Sequence, residues 1–163
     1  MSDDPCRPVS VSMTIDAPAD ELFALLCDPS NHPRIDGSGM LQEGPAERIS
    51  GVGDVFAMGM HNDEMGDYEM ANHVLGYDAG RLIAWEPELK AASRTEDQSE
   101  VGVRSGVRWS YELQPVGERT TVVTETYDCT SAPDWLRRAV RNGERWVETM
   151  TASLTNLREL AQA

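Results

Sequence analysis

The chain has 163 residues, 40% of them hydrophobic and 26% charged, which is the composition of a soluble globular protein of one-domain size. Fourteen Lys and Arg against 28 Asp and Glu give a formal charge of −14, which excludes nucleic acid as an expected partner, because phosphate backbones are repelled by so acidic a surface. No window approaches the ~18 apolar residues of a membrane span, and Cys6, Cys27 and Cys129 match neither a disulfide framework nor a zinc spacing.

The start, MSDDPCRPVS, lacks the basic and apolar stretches of a secretory signal, so the chain reads as cytoplasmic with reduced thiols. From Val9 to Ile15, apolar Val9, Val11, Met13 and Ile15 alternate with Ser10, Ser12 and Thr14, the period of a half-buried strand. Pro18 then suits a first helical turn, with Asp16 or Ala17 as the cap and Leu22, Phe23, Leu25 and Leu26 as the apolar face, ending near Asp28-Pro29. A short helical turn is expected around 29 to 34.

Strands and turns follow until about residue 130. Phe56, Met58 and Met60 share one strand face, and Tyr68, Met70, Asn72 and Val74 share another. A turn at Tyr77 to Gly80 leads into a strand with Ile83 and Trp85 on one side, closing a hairpin. Residues 88 to 103, polar and poor in aromatics, read as a long loop. Val107, Trp109, Tyr111 and Leu113 then alternate, and the β-branched run from Thr120 to Asp128 pairs with them. A Ser131 cap with Pro133 in the first turn starts a helix in which Trp135, Ala139, Gly143, Trp146, Met150, Leu154, Leu157 and Ala161 form a long amphipathic stripe. Gly143 inside that stripe marks a kink or a close approach.

One strand, two short helices, a run of antiparallel strands and a long C-terminal helix is an unusual order. Together with VSVSMTIDAPADELFALLCDP at 9–29, YDAGRLIAWEP at 77–87 and the last strand pair running into TSAPDWLRRAV, it resembles the START-like, polyketide cyclase/dehydrase (SRPBCC) superfamily. IDGSGM at 35–40 and GDYEMANH at 66–73 look like an uncharacterised actinobacterial-type branch. The resemblance implies an α+β helix-grip fold like that of the birch-pollen allergen, one domain over residues 8–162. It also implies a curved antiparallel sheet around the C-terminal helix and a cavity between them for an apolar or aromatic small molecule.

The residues expected to line that cavity are Asp36, Met40, Phe56, Met58, Met60, Tyr68, Met70, Asn72, Ile83, Trp85, Trp109, Tyr111, Trp146 and Met150. Methionine suits a deformable binding surface, although each of these residues taken singly also suits a filled core. Asn72 is the anomaly, an amide on an apolar strand face that either anchors a ligand or bonds to nearby backbone. Asp36 and Ser38 either face the cavity mouth or form a local turn. His73 points to the opposite, outer face. The donors in His61-Asn62-Asp63-Glu64 lack metal-ligand spacing, so no metal is expected, and the absence of a P-loop, G-x-G-x-x-G or G-x-S-x-G gives no reason to expect a cofactor. Whether a cyclase- or dehydratase-type reaction occurs stays open from sequence. It would need one positioned proton donor or acceptor, from among Asp36, Tyr68, Asn72, Tyr111 and Glu125. An interaction module without a cavity is the rival reading, the oligomeric state is unspecified, and a gate built from 88–103 and 36–40 is the expected entrance.

Overall fold

The computed structural model describes residues 6–93 and 100–163. Seven strands form one antiparallel sheet in the order β1-β7-β6-β5-β4-β3-β2. They are β1 (Val9–Ile15), β2 (Leu41–Glu43), β3 (Val55–Asn62), β4 (Gly66–Asp78), β5 (Leu82–Ala92), β6 (Arg108–Gly117) and β7 (Thr120–Asp128). Register shifts between Glu69 and Met70, and between Val74 and Gly76, let the long β4 bend as bulges do. The concave face receives α1 (Ala19–Leu26), α2 (His32–Ile35) and α4 (Val147–Gln162), while α3 (Asp134–Ala139) lies between β7 and α4 along the chain. This is the α+β helix-grip arrangement expected from the sequence.

The elements differ from their expected bounds in instructive ways. α1 begins at Ala19 behind Pro18, not at a cap on Asp16 or Ala17. Ala17 is held outside the helix, because its N–H donates to the Ile15 carbonyl at 3.0 Å and its own carbonyl accepts from Thr121 Oγ1 at 2.9 Å. α3 likewise starts without a Ser131 cap. The turn before it is closed by Asp128, which accepts from the backbone N–H and hydroxyl of Thr130 at 2.9 and 2.7 Å. β5 continues through Ala92 by pairing with β4, so 88–92 is strand rather than loop; the remainder of that expected loop includes 94–99, which lie outside the described residues.

The C-terminal stripe is not one helix. It breaks in a 3-10 segment from Arg141 to Trp146, where Asn142 and Gly143 have φ of 55° and 97°. A Cβ on Gly143 would lie 2.3 Å from Val9 Cγ2 and 2.8 Å from Tyr127 Cδ1, so the break and the close approach are the same feature. The reversal re-aims α4 so that Leu154 and Leu157 are fully buried beside Ile15, Leu22 and Val123. A second cluster gathers Val107, Tyr127, Cys129, Val140 and Met150 near the break. There Cys6 and Cys129, 123 positions apart in sequence, bring their sulfurs to 3.8 Å.

Candidate functional site

Alternation on five neighbouring strands builds one wall of a cavity. Cross-strand register sets Asn72 between Phe56 and Pro87, Met58 beside Met70, Met60 beside Tyr68, and Tyr111 beside Glu125. Trp85 pairs with Trp109, and Trp109 with Tyr127, whose ring it meets at 4.6 Å between centroids. The opposite wall comes from α1, α2, Trp146 just before α4 and the first turn of α4, through Leu26, His32, Ile35, Trp146 and Thr149. The cavity between the two walls holds about 220 Å³. It exceeds a cavity of ~150 Å³ that accommodates benzene in another protein, so a one- or two-ring molecule fits.

The turn at 36–40 closes one side. Asp36 Oδ2 accepts from the Ser38 N–H at 3.0 Å and from the Ser38 hydroxyl, and Ser38 Oγ in turn accepts from the Met40 N–H at 3.0 Å. The local-turn and cavity readings of Asp36 and Ser38 therefore coexist, since both residues also line the space. Gly37 makes this possible. A Cβ there would lie 2.6 Å from both Ala152 Cβ and the Thr149 carbonyl oxygen, so only glycine lets the turn press against α4, where its N–H donates to Ser153 Oγ at 2.9 Å. Asn156 Nδ2, donating to the Ile35 carbonyl at 3.0 Å, adds a second tie.

Of the residues expected to line the cavity, all do so except Ile83 and Met150. Both are fully buried in packed clusters instead, Ile83 with the aliphatic core and Met150 with Tyr127 and Cys129. Asn72 lines the space, and its amide Nδ2 also donates to the Phe56 carbonyl across a long 3.4 Å. His73 lies on the other face, where Nε2 pairs with Glu88 at 2.7 Å, and His61 pairs with Asp67 at 2.8 Å.

Sequence reasoning missed Leu26, His32, Ile35, Leu41, Pro87 and Thr149 as lining residues. His32 stacks on Trp85 at 5.3 Å and meets Phe56 edge-on. Its Nε2–H donates to the Leu26 carbonyl at 2.7 Å, and burial lowers its pKa, which keeps the imidazole neutral.

The polar groups concentrate around Glu125. The side chain is buried, and its Oε1 has no hydrogen-bond partner. Burial pushes its pKa up to about 8, with the nearby Asp36 adding to the rise while the Tyr111 hydroxyl, donating toward the carboxyl, opposes it. Asp36 is also raised, chiefly by burial and against its bonds from Ser38. Tyr68 is pushed up to about 12 by the same loss of water. Such a site can supply a neutral carboxylic acid near neutral pH or, once deprotonated, a poorly solvated carboxylate. The signal for Glu125 was present in the sequence: Thr121, Val123, Glu125 and Tyr127 alternate inward, so a glutamate stands on a buried face.

A curved antiparallel sheet and a long C-terminal helix, with a cavity of apolar side chains and a few convergent polar groups between them, make this a helix-grip protein. The chain belongs to the polyketide cyclase / dehydrase and lipid transport family, which it matches over residues 7–162. Among curated proteins it is similar to Uncharacterized protein Rv0088 of Mycobacterium tuberculosis, 30% identical over 143 residues covering 86% of this chain and 53% of the relative. The chain thus spans about half the length of the curated relatives it matches. Among solved structures, a norcoclaurine synthase point mutant from Thalictrum flavum, in complex with a transition-state analogue, shares the fold with a TM-score of 0.61 and 14% identity, covering 96% of this chain and 94% of that one. The di-domain ARO/CYC BexL of the BE-7585A biosynthetic pathway does so with a TM-score of 0.62 and 18% identity, covering 96% and 48%. Among the described residues, no helix is long and apolar enough to cross a membrane.

Proposed function

We propose that the chain acts as one domain that binds an apolar or aromatic small molecule, polyketide- or lipid-like in its apolar bulk, between the sheet and α4. The observation that carries this reading is the cavity of about 220 Å³ on the concave face, walled by Met58, Met60, Met70, Trp85, Trp109 and Trp146. Partly exposed methionines and tryptophans facing a void leave apolar surface uncovered, and a ligand recovers that burial at ~25 cal/mol per Å². The family description, with its cyclases and lipid carriers, supports the same class of ligand. The rival reading, an interaction module without a cavity, is less well supported for the same reason. The odd, unbridged Cys6, Cys27 and Cys129 fit a reducing cytoplasm.

Catalysis of a cyclase or dehydratase type would use the proton-bearing groups already assembled, Glu125 and Tyr111 with Asp36 across the space. The test of the binding reading is titration with neutral 2-(1-naphthyl)ethanol, followed by amide and indole NMR shifts, alongside native mass spectrometry for a co-purified molecule. The expected shifts fall on Met58, Met70, Trp85, Trp109 and Trp146. Saturable shifts confined to the convex face, or none at all, would overturn it.

A further inference from the structure

We propose that the cavity selects ligands carrying a basic amine on an aromatic body, with Glu125 as the counter-charge, and discriminates against carboxylate-bearing ones. This rests on the reading of the cavity as a ligand site. Two observations carry it independently. The first is Glu125 itself, a buried carboxyl among the lining residues whose Oε1 has no hydrogen-bond partner, so that its polar capacity is not used up within the protein. The second is the sign of everything around it. Two carboxyls, Asp36 and Glu125, line the space, and among the described residues no Lys or Arg does. Arg145 lies over the Trp146 ring at 5.4 Å and is not part of the lining.

An anionic ligand entering here brings a further negative group to a site without a compensating cation, a costly arrangement at low dielectric. An ammonium group meets the opposite situation. It donates to Glu125, and the faces of Trp85, Trp109 and Tyr111 attract cations through their ring quadrupoles. Apolar bulk beyond the amine occupies the methionine end.

The proton balance follows from the chemistry of Glu125. Below about pH 8 the free protein holds Glu125 as the neutral acid. When R–NH3+ binds, the ammonium keeps its protons and the carboxylic O–H bond breaks, releasing one proton to solvent and leaving a carboxylate paired with the cation. Affinity for an amine therefore rises as pH rises toward 8, and levels off above it until the amine itself deprotonates. The titratable groups facing Glu125 are Tyr111 from β6 and Asp36 from the turn after α2. Its β1 neighbour in register is Val11, and the opposite wall contributes Trp146 just before α4 and Thr149 in its first turn, none of which titrates.

The experiment compares 2-(1-naphthyl)ethylamine, 2-(1-naphthyl)ethanol and 1-naphthylacetate by calorimetry on the intact chain at pH 8.5. The amine is expected to bind at least tenfold more tightly than the alcohol, and the carboxylate at least tenfold more weakly. Between pH 6.5 and 8 the amine's affinity should climb by up to tenfold per unit, with about one proton released when the titration is repeated in buffers of different ionisation enthalpy. Glu125→Gln should cut the amine-to-alcohol ratio at least tenfold and flatten the pH profile. An amine no tighter than the alcohol, a carboxylate equal to the amine, or a preference that survives in Glu125→Gln overturns the proposal. Should that variant fail to fold, the wild-type pH slope and proton release decide alone, and their absence is the negative result. If the alcohol binds without any preference for the amine, only the charge selectivity falls. If none of the three binds, the ligand-site reading falls with it.

Discussion

Two apolar regions share the concave face of this sheet, and they are filled differently. Beside β1, α1 and the later turns of α4, the side chains of Ile15, Leu22, Val123, Leu154 and Leu157 have no exposed surface at all. Along β3, β4 and β5, and across to Tyr111 of β6 and Glu125 of β7, Met60, Met70 and Trp85 keep part of theirs, and a cavity stands between them and the helices. Both regions arise from the same strand alternation and would look alike to any measure of hydrophobicity. They differ in shape and chemistry. Branched aliphatics from three layers interlock to close-packed density. Methionines and planar rings on a bent sheet leave a gap. Closure is thus a property of which side chains meet, and the polar groups Glu125, Tyr111, Asp36 and Asn72 collect where closure fails.

The sharpest way to break the comparison is to cut a methylene-rich side chain from each half. Leu154→Ala opens a new void in a sealed region and should cost ~2–5 kcal/mol of stability. Met70→Ala enlarges a void that already exists and should cost under ~2 kcal/mol, because part of the side chain was never removed from the space. Urea unfolding of both variants checks the pair. Equal losses would mean that the two halves are packed alike.

Glu125 tests the open half by a different route. Its pKa in the folded protein is about 8 against an ordinary 4.5, so between those values the native state holds a proton that the unfolded chain has lost. Stability from this group accordingly falls as pH rises from 4.5 to 8, by up to ~1.4 kcal/mol per unit. Glu125→Gln removes the titration while keeping the shape. The variant should gain on the wild type steadily across that window and by a few kcal/mol, in order of magnitude, at pH 8. A constant difference between pH 5 and pH 8 would show that the carboxyl is solvated in the native state.

What could be read from the sequence divides along the same line. The strand faces were legible because period-2 alternation survives burial on one side, as in Phe56-Met58-Met60 and Thr121-Val123-Glu125. So were α1 and the hairpin at 77–80. The bent wall was harder. His32, Ile35 and Thr149 reach the cavity from short helices and a helix entrance, where no period marks a direction. Ile83 and Met150 shared a face or stripe with lining residues, yet both sit in packed clusters. Gly143 raised two alternatives in sequence, a kink or a contact, and only the meeting of Val9 and Tyr127 over it shows that both hold.

The joint between the halves is itself testable. Gly143→Ala places a methyl group against Val9 and Tyr127 at a φ of 97° and should cost ~1–3 kcal/mol, as a Cβ in a left-handed conformation without space does. Thermal unfolding reports this, with a control at Gly53, where φ is also positive but nothing stands within 4 Å of an added Cβ. Similar losses at both sites would assign the cost to backbone strain alone and remove the contact from the account.

Asn72 should give the smallest effect and separates the two roles that one amide plays. Its Nδ2 donates to the Phe56 carbonyl across 3.4 Å, while the residue lines the cavity between Phe56 and Pro87. A bond that long contributes little, so Asn72→Leu should leave stability within about 1 kcal/mol, the lost bond being offset by added apolar burial. Affinity is the discriminating readout. If the amide oxygen faces the ligand, the neutral naphthyl alcohol, whose hydroxyl can donate to it, should bind Asn72→Leu more weakly by ~0.5–1.5 kcal/mol, while 1-ethylnaphthalene, which has no donor, should bind as well or better. A loss shared equally by both probes would mean that the substitution merely reshapes the wall. In that case the amide belongs to the sheet's own bonding, and the polar specificity of the cavity rests with Glu125 and its neighbours.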